Sequence, residues 1–258
     1  MKKFIILISI ILFSNYVSAN SHIFQDLKDY GKDCKKSPTS KCLIKISSEI
    51  VFPFVKDNDF LEQNKILLFD ILKAQAIIGE LEEANKTLDN LDDDFTHYGY
   101  YTEALINIAM HTAIYKSSDE GIIILEEAIN SIDEKEVLEH RVVDMELIQK
   151  INSAKFVINY IKNYKNHDDI KDKLYYGVFS NIEEDYETLI TKKNSENNFF
   201  IKQLFIANIA ELELLENNIQ KSFDTIEEIV SEDTGVPWSV IWLVDNYLRA
   251  AVYLHLNR

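Results

Sequence analysis

Two cysteines have the spacing that most directly predicts chemistry in this chain. Cys34 and Cys42 are its only cysteines, and seven residues separate them. If the chain is exported, a close and isolated pair predicts a disulfide, since a metal site would need further ligands nearby and redox catalysis usually uses tighter spacing. Ser37 and Pro38 fit a helix N-cap and a first-turn proline. We therefore expect the bridge to join the end of one helix to the start of the next.

Three other groups of titratable residues have types or spacings suited to chemistry. His140 and Asp144 lie four residues apart on one predicted helical face, where they would share a metal ion or act as a base and its orienting group. We favour an ordinary surface pair. The aspartates at 92–94 lack the alternating ligands and glycine of a calcium loop, so we interpret them as a solvated turn. We expect His111 to be a solvent-facing histidine or one with its hydrogen bonds satisfied in the core.

The common catalytic motifs do not occur in the sequence. It contains no P-loop, no Gly-x-Gly-x-x-Gly, no Gly-x-Ser-x-Gly and no His-Glu-x-x-His. An enzyme would therefore have to assemble its site from dispersed residues. We predict no catalytic residue, no cofactor and no metal site.

The elements that would position any site are predicted to be helices. Apolar residues recur at helical spacing almost throughout, and no convincing period-two strand occurs. Start signals of the capping-box type accompany this pattern at Asp59 with Glu62, Ser117 with Glu120, and Asp133 with Glu136. The predicted fold class is all-α.

Three segments align without gaps as helix pairs, at 68–91, 105–128 and 206–229. The first two lie 37 residues apart, a period typical of stacked helical hairpins. The matched positions hold a first-helix core residue (Leu72, Ala109, Ala210), a turn residue (Gly79, Lys116, Asn217), a small second-helix residue (Ala84, Gly121, Ser222) and a second core residue (Leu88, Leu125, Ile226). We expect the small residues to face the companion helix, and the turn residues to be positions where glycine or asparagine adopts a left-handed backbone.

On these residues the chain resembles tetratricopeptide (TPR-like) repeats. Ala109 and Ala210, the turn Gly79 and the close-packing small residues match that family's pattern, while Gln75, Thr112 and Glu213 replace its first-helix aromatic and no proline closes a unit. The segment 34–94 is also similar to uncharacterised exported bacterial repeat proteins. The resemblance implies an α-solenoid of stacked antiparallel helical hairpins, and it implies no activity.

The resemblance also implies a partner-binding groove lined by the first helices. Carried over position by position, its residues are Phe69, Lys73, Ile106, Met110, Ala207 and Glu211. This mixed surface lacks the repeated basic clamp that would capture carboxylates or phosphates.

The region 133–198 is also predicted to be helical but cannot be placed in this register. Its expected core residues are Ile148, Ile151, Phe156, Ile158, Ile161, Leu174, Phe179, Ile182 and Leu189. The polar run 191–198 predicts a long loop or a hinge, with one continuous array over 20–258 favoured over two domains.

The C-terminal segment 236–256 is predicted to form a helix with apolar residues on nearly every side, including Trp238 and Trp242. Such a helix must be covered. It would be buried against the preceding helix pair, or it would form a docking surface for a partner or for a second copy in a homodimer.

The N-terminus predicts export. Residues 1–19 combine Lys2 and Lys3, an apolar run of about ten residues and the small residues before the end at Ala19, as in a signal peptide. No cysteine follows for lipid attachment, and no later segment is long and apolar enough to insert into a membrane. We expect a soluble mature protein in the periplasm or the medium.

Composition narrows the classes of partner. Only six glycines and three prolines occur, which disfavours sandwiches and phosphate-cradling loops. The net charge is −16, so nucleic acid and anionic membrane surfaces are poor partners. We interpret the charge as a solvated acidic surface rather than a cation site.

The predicted function is non-enzymatic binding of a protein or peptide partner in the cell envelope. The alternatives are an all-helical envelope enzyme that acts on cell-wall glycan through paired carboxylates, and a purely structural envelope component.

Overall fold

The fold of the chain was obtained as a computed structural model. It describes residues 31–55, 61–91, 100–132, 141–163, 182–231 and 238–257, and within them every regular element is a helix. The eleven helices of these ranges are α1 Lys32–Lys36, α2 Ser40–Val55, α3 Leu61–Ile77, α4 Leu81–Leu88, α5 Tyr100–Tyr115, α6 Ser118–Asn130, α7 Arg141–Asn163, α8 Tyr186–Ser195, α9 Phe199–Leu215, α10 Ile219–Ser231 and α11 Trp238–Leu256. The all-α prediction is confirmed for these residues.

Several sequence predictions lie outside the described residues. They are the signal peptide 1–19, the caps at Asp59 and Asp133, the aspartates at 92–94, His140 of the pair with Asp144, and the core residues Leu174 and Phe179.

The chain divides into two compact units. In the terminal unit the described residues are 31–46, 182–231 and 238–253; in the central unit they are 47–55, 61–91, 100–132, 141–163 and 254–257. The central unit contains the first pair, α3 with α4, and the second pair, α5 with α6. Helix α3 also packs against α5, and α7 packs against both helices of the second pair.

The terminal unit is built around the third pair, α9 with α10. Helix α8 packs against α9, and α1 contacts α10, where Lys35 forms an ion pair with Glu227. Helix α11 covers the pair: the Tyr247 ring lies edge-on to Phe223, with centroids 5.4 Å apart. Both rings are almost fully buried.

The three pairs close with the same backbone hydrogen bond, which spans five residues at the end of the first helix. Its donors are the amides of Glu80, Ser117 and Asn218, and its acceptors are the carbonyls of Gln75, Thr112 and Glu213. Gly79 (φ 84°) and Asn217 (φ 66°) are left-handed, as predicted. Lys116, at the matched position of the second pair, keeps a negative φ. Its amide bonds to the Thr112 carbonyl, as in a continuing helix.

Two small residues of the second helices, Gly121 and Ser222, pack against the companion helix, as predicted. A Cβ on Gly121 would lie 2.7 Å from the Ala109 carbonyl oxygen on the companion helix. Ser222 Oγ donates a 2.6 Å hydrogen bond to the Ala210 carbonyl. Ala84 is fully buried. Aligned sequence positions therefore mark positions of close helix packing.

The disulfide prediction is supported, but its capping residue was wrong. Cys34 in α1 and Cys42 in α2 are bonded, with their Cα atoms 5.9 Å apart. The cap of α2 is Thr39, whose hydroxyl accepts from the Cys42 amide at 3.2 Å. Ser37 is too early, because α2 begins at Ser40 and a cap bonds the amide two or three residues inside the helix.

The long loop predicted at 191–198 was also wrong. Helix α8 runs to Ser195, and only 196–198 connect it to α9. Asp185 caps α8 by accepting a hydrogen bond from the Thr188 amide at 2.8 Å. Leu189, on one side of this helix, is buried. Cap and burial outweigh the polar composition of the last turn. A hinge at this position remains a prediction.

Candidate functional site

The six predicted groove residues divide into buried and half-buried side chains. Phe69, Ile106 and Glu211 are 5%, 1% and 4% exposed, so each offers little surface to a partner. Lys73, Met110 and Ala207 are half-buried. Four of the six belong to the central unit, and Ala207 and Glu211 belong to the terminal unit.

Neighbouring side chains contact two of the buried groove residues, Phe69 and Glu211. The Phe69 ring lies 5.5 Å from the Tyr100 ring, and the Lys73 ammonium lies 5.4 Å from the centre of the Phe69 ring. Glu211 forms a 2.7 Å ion pair with Arg249 of α11. Glu211 is therefore used to hold α11 in place.

Exposed apolar side chains lie instead at the start of α9. Phe200, Ile201 and Leu204 are 57%, 43% and 42% exposed, and together they are called the α9 stripe. Asn198 fixes the start of this helix, because its side-chain oxygen accepts from the amides of Phe200 and Ile201. Ala207 follows Leu204 by one turn and extends the α9 stripe with a small side chain.

The sequence alignment missed the α9 stripe because its third segment begins at residue 206. A signal was nevertheless present. Leu204 aligns with Ile66 when the register of the first and third pairs is extended backward, and Ile66 is 40% exposed. The matching position of the second pair holds Glu103, which forms an ion pair with Lys150.

The C-terminal helix is covered over most of its length, as one of the two interpretations required. Its buried residues are Val240, Leu243, Val244, Asn246, Tyr247, Leu248, Ala250, Ala251 and Val252. Asn246 Nδ2 donates to Ser222 Oγ at 3.1 Å. Trp242 is half-buried, and the side chain of Trp238 is outside the description. Docking or dimerisation through these tryptophans remains a prediction.

The carboxylate of Glu213 lies in a polar cluster of the terminal unit. It is fully buried and accepts hydrogen bonds from Thr225 at 2.6 Å and Tyr186 at 2.8 Å. Lys221 Nζ lies 3.0 Å from the same carboxylate and donates to the Tyr186 hydroxyl at 2.7 Å. The hydrogen bond to Tyr186 has the largest effect on the pKa of Lys221, and the one to Glu213 comes next. Both raise this pKa. Both Glu213 oxygens thus have internal donors.

His111 lies in the core of the central unit, where burial lowers its pKa to about 3 and His255 adds to the effect. Among the residues that the structure describes, its Nδ1 has no hydrogen-bond partner, so the expectation of a satisfied core histidine was wrong at that atom. The nearby Tyr115 hydroxyl donates to the Ile77 carbonyl at 2.6 Å. Because that hydrogen is used, His255 Nε2 donates to the Tyr115 oxygen at 2.9 Å.

Across the six described ranges, no group of three or more His, Cys, Asp or Glu side chains is arranged to hold a metal ion. None of the helices in those ranges combines the length and the apolar character needed to cross a membrane. No protein-family model matches the chain, and no curated protein or solved structure is significantly similar to it.

Proposed function

We propose that the protein is an exported TPR-like repeat protein, an α-solenoid of stacked antiparallel hairpins, that binds a protein or peptide partner in the cell envelope. The observation that carries this proposal is the exposed apolar residue at the same position of two first helices. Ile66 and Leu204 are 40% and 42% exposed. Each residue lies on a first helix of its own unit, and repeat proteins commonly bind their partners through matched positions of their repeats.

Repetition of the helix pair is supported by more than sequence spacing. The first and third pairs share a buried hydrogen bond between matched residues: Thr87 donates to Gln75 at 2.8 Å, and Thr225 donates to Glu213 at 2.6 Å. Both bonds join positions twelve residues apart. A repeat array requires units with the same internal packing, and this matched bond supports that for the first and third pairs.

The chemistry of the partner follows from the α9 stripe. Phe200 is the most exposed of its three apolar side chains, and the small, half-buried Ala207 follows Leu204 by one turn. Apolar side chains of a peptide would remove this surface from water. Export rests on the predicted signal peptide and is supported by the disulfide between Cys34 and Cys42, which persists in oxidising compartments.

The test uses a photo-crosslinking amino acid placed at single positions of the full chain in its native envelope. Ile66 and Leu204 are the test positions. Lys86 and Asp224 are the controls, because they are matched exposed positions on the second helices of the same two pairs. We expect adducts to one protein from both test positions and from neither control.

Two results would contradict the proposal. One is the absence of a protein adduct at Ile66 and Leu204, and the other is equal crosslinking from all four positions. Adducts that contain cell-wall glycan instead of protein would favour the enzyme alternative.

A further inference from the structure

Helix α7 has one buried side, where the core predictions for Ile151, Ile158 and Ile161 are confirmed, and one exposed side, where two core predictions were wrong. The buried residues follow helical spacing and are Leu147, Ile151, Ala154, Val157, Ile158 and Ile161. Phe156 and Ile148, expected in the core, are 70% and 52% exposed. Phe156 lies two residues from both Ala154 and Ile158, which turns it to the opposite side of the helix.

Helix α7 is basic within an acidic chain, because it has four basic residues and two acidic ones, Asp144 and Glu146. Residues 147–163 contain three lysines and no Asp or Glu, whereas the whole chain has 43 acidic and 27 basic residues. Lys150 pairs with Glu103 and Lys162 pairs with Asp119. Lys155 is exposed, next to Phe156, and forms no ion pair within the described part of the chain.

Three side chains therefore combine on one side of α7, and they are called the α7 face: Ile148, Lys155 and Phe156. Lys155 follows Ile148 by two helical turns, which brings both to the same side, and the Phe156 ring is 6.4 Å from the Tyr160 ring. An exposed aromatic ring beside an aliphatic side chain and a cation is typical of an interaction surface. The exposed residues around them, Gln149, Asn152 and Asn159, are uncharged.

We propose that the α7 face binds an acidic segment of a partner protein that also carries apolar side chains. Charge complementarity selects this occupant, since a carboxylate would pair with Lys155 while an apolar side chain packs on Phe156 and Ile148. Because α7 carries four basic residues against two acidic ones, an acidic segment meets less repulsion there than elsewhere on so acidic a chain. This surface is separate from the α9 stripe, so either proposal can fail alone.

The test is selection of a random twelve-residue peptide library on the intact, disulfide-bonded protein. We expect the recovered peptides to be enriched in Asp and Glu together with aromatic or aliphatic residues. Lys155→Glu and Phe156→Ser should each lower their recovery by roughly tenfold, the effect of removing one central contact. Raising the salt concentration should weaken binding to the wild type.

Controls separate a local effect from a loss of fold. Lys116→Glu makes the same charge change at another exposed lysine of the central unit and should leave recovery unchanged. Both α7 variants alter exposed side chains, so their melting temperatures should match the wild type; if one does not, Ile148→Ser takes its place.

Other outcomes would overturn the proposal. They are recovery of neutral or basic peptides, recovery that ignores both α7 variants, self-association that Phe156→Ser abolishes, and binding to phosphatidylglycerol vesicles that Lys155→Glu abolishes. The last two would assign the α7 face to a second copy or to anionic lipid.

Discussion

The first and third helix pairs use the same buried hydrogen bond with different electrostatics. Thr87 bonds the neutral amide of Gln75, and Thr225 bonds the carboxylate of Glu213. A buried charge costs more than a buried amide unless further donors surround it. Tyr186 and Lys221 supply these donors in the third pair. One backbone geometry can thus accept a charge when neighbouring helices compensate for it.

The second pair closes with the same backbone hydrogen bond but has no such side-chain bond, because Thr112 and Ile124 occupy the two matched positions. Its close contact is made by Gly121, where the third pair uses the Ser222 hydroxyl. The three pairs therefore share spacing and the closing backbone hydrogen bond, and they differ in what fills the space between the helices.

Gly121→Ala should give the largest loss of stability, about 3 kcal/mol, because its Cβ would collide with a backbone oxygen of α5 that cannot move independently. Ser222→Ala is the control at the matched position and should cost about 1 kcal/mol for its lost hydrogen bonds. Urea denaturation measures both. Equal losses would show that the two pairs do not differ in helix spacing.

His111 should make the stability of the central unit fall in acid. Its pKa is about 3 in the fold and near 6.5 when unfolded, so the unfolded chain takes up the proton first as the pH falls. The contribution of His111 to stability is therefore fully present above pH 6.5. Below that pH the free energy of unfolding falls by about 1.4 kcal/mol per pH unit toward pH 3.

The matched position of the third pair holds a leucine. His111→Leu should therefore flatten this decline in stability. Thermal melting of both proteins between pH 7 and pH 4 measures it. Parallel curves would contradict a buried neutral histidine.

Thr225→Val should cost about 2 kcal/mol and Thr87→Val about 1 kcal/mol, because a hydrogen bond to a charged acceptor is stronger than one to an amide. The variants are isosteric, and both threonines are buried. Chemical denaturation gives the two differences. A larger loss for Thr87→Val would reverse the electrostatic contrast between the pairs.

The smallest effect is expected at the helix caps. Hydrogen bonds donated by Thr188, chiefly by its backbone amide, lower the pKa of the Asp185 carboxyl. The contribution of this carboxylate to stability is therefore present above pH 3.8 and is lost as the pH falls through the lower folded pKa. Ser117, the cap of α6, is neutral and has no such dependence.

Asp185→Ser should therefore lower the melting temperature slightly at pH 7 and not at all well below pH 3.8. The reciprocal variant, Ser117→Asp, should gain the same pH dependence. A difference between Asp185→Ser and the wild type that persists in strong acid would point to packing instead of charge.

Sequence patterns predicted the helices and several of their contacts because these depend on residues close together in the chain. Gly79 and Asn217 marked left-handed turns, and Gly121 and Ser222 marked close packing across a single turn. The predictions for Ile148 and Phe156 were wrong because an apolar residue is buried only if another helix reaches it.

By itself, the sequence determined the helical periodicity, the register of the pairs and the cysteine spacing, all of which act over short stretches of chain. Tertiary structure decided which apolar side chains stay exposed, as at Phe200 and Phe156, and which charges are compensated, as at Glu213. The physical reason is that exposure and electrostatic environment depend on helices distant in sequence, whereas periodicity and turn geometry do not.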